Sequence, residues 1–135
     1  MDNEDVRRFR RKLEADRTEA IGSLTRLGSE ARKLDEDSPQ DHVDRSVTYF
    51  ARESLFEQGN QLWTTVKMID EALRRVRNCT FGICVSCGDD IRLARLEAIP
   101  WTQYCRRCQE RLEQDGQYKS LLSARPVGSV WKRAG

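Results

Sequence analysis

Apolar residues recur every seven positions in two long stretches of this chain. In the first, from about Asp5 to Asp35, Val6, Leu13, Ala20, Leu27 and Leu34 form the repeat, and Leu24 and Ala31 fill the neighbouring positions. A strict seven-residue apolar repeat marks a left-handed coiled-coil seam. Arg10, Asp16 and Arg17 interrupt this seam, so its N-terminal end is expected to be looser or covered by another part of the chain. The second stretch runs from Val43 or Ser46 to Asn78 and repeats at Leu55, Leu62, Ile69 and Val76, joined by Val66 and Leu73. Gly59 and the Thr64-Thr65 pair lower helix propensity there without ending the helix. Two helices of about 30 residues, rising 1.5 Å per residue, would each reach roughly 45 Å. Each carries one narrow stripe, which it can bury only on the other. Pro39 and the clustered Asp and Ser residues of the segment between them suit a turn and helix caps. The expected fold is therefore mainly α, a long antiparallel coiled-coil helical hairpin with a tip loop at about 36–46.

The texture changes after Asn78. Residues 1–78 read as the hairpin, 79–122 as a small cysteine-bearing domain with a last helix from Arg106 to about Leu122, and 123–135 as a flexible tail. Cys84-x-x-Cys87 is followed, after a gap of 17 residues, by Cys105-x-x-Cys108. Each Cys-x-x-Cys turns two sulfurs the same way, and two such knuckles complete a tetrahedron around zinc at Zn–S distances of about 2.3 Å. Four thiolates leave no position for water, so the site is structural rather than catalytic. Arg92, Arg95, Arg106 and Arg107 are placed to offset its double negative charge. Gly88 follows the first knuckle, where freedom to adopt positive φ is useful. Cys79 matches neither pair and reads as a free thiol. His42, the single histidine, has no partner near it in sequence and reads as exposed.

Charge and composition narrow the function. Lys and Arg number 24 against 22 Asp and Glu, a net charge of +2. That balance is not the concentrated positive charge of a dedicated DNA binder. No run approaches the ~18 apolar residues of a membrane span, and the acidic start Met1-Asp2-Asn3-Glu4-Asp5 lacks the apolar core of a signal peptide. A soluble cytoplasmic protein is expected, and because the mixed charge gives no strong sign of a dimer, a monomer is the expectation. No Ser/His or Cys/His constellation and no glycine-rich phosphate loop points to an enzyme.

Taken together, Phe81-Gly82-x-Cys84-x-x-Cys87-Gly88-x-x-Ile91, Arg95-Leu96-Glu97-Ala98-x-Pro100 and Cys105-x-x-Cys108 resemble the zinc-finger signature of the DksA/TraR family. Asp41-x-x-Asp44-x-Ser46, between the two heptad stretches, is similar to that family's Asp-x-x-Asp-x-Ala motif. The resemblance, over about Val6 to Glu113, implies a transcription regulator that binds RNA polymerase and inserts its hairpin tip into the secondary channel. It also implies no direct DNA contact. Asp41, Asp44 and Ser46 would face the polymerase active-site region, where Mg²⁺ and basic groups can engage carboxylates. The bland alternative for Asp41 and Asp44 is capping of the second helix.

The chain departs from the family pattern in three respects. Ser46 replaces Ala. Met68, Ile99 and Gln109 fall where members that bind guanosine tetraphosphate carry basic residues, so independence from that nucleotide is expected, with no nucleotide-binding residues assigned. Glu57 and Gln61 stand where better-known members carry polymerase-gripping arginines. Two alternatives stay open: a DksA-like adaptor with another partner, and a zinc protein binding nucleic acid through Arg92, Arg95, Arg106, Arg107 and Arg111.

Overall fold

The computed structural model describes residues 1–36 and 42–116, the side chains of 42–44 excepted. Asp41, most of the expected tip loop and the expected tail lie outside these residues. The fold is mainly α, an antiparallel helical hairpin followed by a small four-cysteine domain. Its helices are α1 (Asn3–Glu36), α2 (His42–Arg77), α3 (Leu93–Ala98) and α4 (Arg106–Gln114). Among the described residues no helix is long and apolar enough to cross a membrane.

Two compact units divide the chain. The first is Ala15–Lys67, where α1 and α2 run antiparallel. Ala20 and Val66 are buried, and Leu24, Leu27, Ala31, Leu34, Leu55 and Leu62 are half-buried. These are the residues of the two heptad stripes, half-covered because a two-helix seam has no third face to close it. Asp35 and Arg52 bridge the helices at 2.5 Å.

The second unit joins Met1–Glu14 to the described chain from Met68 on. Asp2 Oδ1 accepts the Asp5 N–H at 2.8 Å and so caps the first turn of α1. One apolar cluster holds Phe9, Leu13, Ile69, Ala72, Phe81, Ile91 and Leu96 together with Cys84 and Cys108. The N-terminal seam, with its interruptions, is thus covered: Phe9 and Leu13 are fully buried. Phe9 meets Phe81 with ring centroids 5.7 Å apart. Arg8 adds an ion pair to Glu97 of α3 at 3.2 Å.

Local chemistry explains where the helices stop. At the end of α2 the Thr80 N–H donates to Arg75 O and the Cys79 N–H to Val76 O. This is the double bond of a Schellman closure, which needs a left-handed residue at its centre. Cys79 takes that role at φ 60°, although glycine is the usual occupant. α4 begins at Arg106 as expected and runs to Gln114; the expected end near Leu122 lies outside the described residues. Gly116 adopts φ 71° and donates to Glu113 O, closing the helix. The sequence carries no clear signal for α3. Its six residues carry one deeply buried side chain, Leu96, too little periodicity to read from sequence.

Candidate metal centre

Two short backbone devices bring the four cysteines together. Gly82, at φ 84°, accepts the Ile91 N–H at 2.8 Å, and Ile83 and Asp90 form an isolated antiparallel bridge. Between them the Cys84 N–H donates to Asp89 O, and the Gly88 N–H, at φ 78°, donates to Cys84 O. The result is a tight loop that turns Cys84 and Cys87 the same way. The second pair is built on a helix start: Cys105 is the N-cap residue of α4 and Cys108 lies in its first turn. The Val85 N–H donates to Gln103 O at 2.9 Å and ties one knuckle to the other.

The four sulfurs lie within 4.8 Å of one another, and those of Cys87 and Cys105 are 3.8 Å apart. A tetrahedron with Zn–S bonds of about 2.3 Å has edges of roughly 3.8 Å, so the spacing fits zinc. The acid–base chemistry fits as well. Burial pushes the Cys84 thiol up, but backbone N–H groups of Cys105, Cys87 and Ser86 hold it down, to about 6. Cys87 accepts the Asp89 N–H, which favours its thiolate. Burial and hydrogen bonds shared with Cys84, Cys108 and Cys105 outweigh that and push Cys87 up to about 12. Burial and the hydrogen bond with Cys105 also raise Cys108. Four sulfurs this close cannot all ionise without a cation between them. Bound zinc supplies that charge and cross-links the two knuckles, so the four cysteines form one structural zinc site.

The surrounding arginines divide their work. Arg95 donates from Nε to Tyr104 O at 2.9 Å and from Nη2 to Thr102 Oγ1 at 3.3 Å, fixing the loop just before Cys105. Arg107 pairs with Asp89 at 3.4 Å and Arg106 with Glu110 at 3.1 Å. Arg75, which the sequence did not single out, is buried and donates to Thr102 O at 3.3 Å. Its Nε and Nη1 have no partner among the described atoms. Burial lowers its pKa from the usual guanidinium value.

The other sequence-derived candidates fall as follows. Ser46 is exposed, as are Glu57 and Gln61. Met68 is half-buried, Ile99 is exposed, and the Gln109 amide donates to Glu113 Oε1 at 3.1 Å. Cys79 is an exposed free thiol. Asp41 and the side chains of His42 and Asp44 lie outside the described residues.

A helical hairpin with a closed four-cysteine zinc base defines the class: a C4 zinc-finger protein built on a coiled coil. Residues 80–114 match the prokaryotic dksA/traR C4-type zinc finger. The chain is 31% identical over 113 residues to the RNA polymerase-binding transcription factor DksA of Caulobacter vibrioides, covering 84% of this chain and 79% of that one. It is 38% identical over 90 residues to an uncharacterized protein of Aquifex aeolicus, covering 67% of this chain and 59% of that protein's length. The solved structure of transcription factor DksA2 from Pseudomonas aeruginosa superposes with a TM-score of 0.78 at 27% identity, over 87% of this chain and 89% of that one. The chain belongs to the DksA/TraR family.

Proposed function

We propose that this chain is a non-enzymatic, cytoplasmic transcription regulator that binds RNA polymerase and presents its hairpin turn to the secondary channel. Asp41, Asp44 and Ser46 act there as the polymerase-facing tip, and a single copy engages each polymerase without contacting DNA directly. The observation that carries this reading is the 31% identity to a protein named as an RNA polymerase-binding transcription factor, extending through the hairpin as well as the zinc finger. The closed zinc site supports a binding role, because it offers no open metal position for catalysis. Three of the five arginines that could make a basic face are engaged elsewhere: Arg95 with Tyr104 and Thr102, Arg106 with Glu110, Arg107 with Asp89. That disfavours nucleic-acid binding as the main activity.

Regulation by this chain is independent of guanosine tetraphosphate. Met68, Ile99 and Gln109 are uncharged, and a polyphosphate needs cations or helix N-termini to hold its charge.

The test is co-purification of the zinc-loaded chain with core polymerase, paired with transcription assays of Asp41→Asn and Asp44→Asn. The expected result is retained binding with loss of the effect on transcription. Unchanged transcription by the double variant would sink the tip assignment. Strong potentiation by the nucleotide would refute nucleotide independence.

A further inference from the structure

We infer that the Ala15–Lys67 unit carries a second, self-complementary apolar face through which two copies of this chain pair weakly. This inference is independent of the polymerase reading.

A two-helix seam needs one narrow apolar stripe on each helix. α2 has more than that. Tyr49, Phe56 and Trp63 recur every seven residues one position beyond the seam residues Leu55 and Leu62. They remain 59%, 68% and 46% exposed. Together with Ile21 of α1, 37% exposed, they leave roughly 500 Å² of largely apolar surface on one flank, a patch at the upper end for a monomer. Beside them runs a groove of about 530 Å³, reaching Gly28 and Gly59. A Cβ at either glycine would meet nothing within 4 Å. The flank thus joins large knobs on α2 to a notch on α1.

Counting along the antiparallel helices from the Asp35–Arg52 bridge, Gly28 comes level with Gly59. Phe56 and Trp63 then fall about one turn to either side of that level. A two-fold axis along the hairpin sets α2 of one copy over α1 of the other. Both aromatics of one copy then straddle the Gly28 notch of the second, and the reverse contact repeats it, as an isologous interface requires. Charge agrees with this pairing. Exposed Arg32 on α1 and exposed Glu53 on α2 lie within two residues of the same level, so the axis brings each to its opposite on the other copy, twice. The face is smaller than the ~800 Å² per partner of a stable complex. Pairing is therefore weak and concentration-dependent.

The experiment is sedimentation velocity on the zinc-loaded full chain, from low to several hundred micromolar. A monomer–dimer equilibrium is expected. Phe56→Ser should weaken it about tenfold or more. Gly28→Gln should stabilise the fold, because glycine is a poor helix former, while weakening association by filling the notch. Arg32→Glu and Glu53→Arg should each weaken pairing, and the double reversal should restore it. A strictly monomeric chain throughout the range overturns the inference. So does pairing that ignores these substitutions, or a monomer in which the same substitutions weaken polymerase binding instead, since that assigns the face to another partner.

Discussion

Replacing Phe9 by alanine tests whether the start of α1 and the zinc-bearing segment share one core. Phe9 is fully buried and its ring packs at 47° against Phe81. Removing a buried phenyl loses its transfer free energy and leaves a cavity, together about 3–5 kcal/mol. The aromatic pairing adds about 0.5–1.5 kcal/mol beyond area. Phe81→Ala should cost a similar amount, since Phe81 sits in the same cluster. The two losses should not add: residues in direct contact couple, so the double variant should fall short of the sum by at least the pairing energy. The assay is urea denaturation at a fixed excess of free zinc, because metal bound to the folded form alone shifts the midpoint. A loss below about 1 kcal/mol for Phe9→Ala, or strict additivity in the cycle, would refute a shared core.

Four further outcomes are expected. Cys79→Gly should raise stability by about 0.5–1 kcal/mol, because glycine removes the cost of a side chain at φ 60°, and Cys79→Val should lower it; thermal midpoints distinguish the two. Arg95→Met should cost about 1.5–3 kcal/mol through its charged hydrogen bonds. Arg75→Met should stay within about 1 kcal/mol of the native chain or exceed it, because it removes a buried charge with two unpaired nitrogens. The purified chain should release one zinc per molecule to a chromogenic chelator, more readily as pH falls and the thiolates regain protons. Circular dichroism should show α4 lost and the Ala15–Lys67 helices retained; zinc content unaffected by Cys87→Ser would contradict the ligand set.

The heptad stripes were legible because helical period and burial are the same fact seen twice. Leu13, Ala20, Val66 and Ile69 were read from spacing and are buried. The zinc ligands were legible because a metal imposes a fixed spacing on thiols, whatever surrounds them. Phe9 was not, since it stands beside the seam positions and is buried by Phe81, 72 residues away, a contact no local pattern encodes. Arg75 reads as one more charge at a helix end and is buried only because Thr102 and its neighbours fold over it. The aromatics at 49, 56 and 63 were equally visible in sequence. Their meaning depends on Gly28 and Gly59 opening a notch beside them, which requires the register of both helices.

α4 is nine residues long, with no side-chain hydrogen bond at its cap. Isolated helices shorter than about 12–15 residues barely persist in water. Bound zinc would be held by both the residue before the helix, Cys105, and one in its opening turn, Cys108, and so would supply the nucleation that a peptide of this length lacks. Occupancy at four sulfur atoms would thereby be converted into stiffness in the backbone leading to Asp115, a chemical event made mechanical.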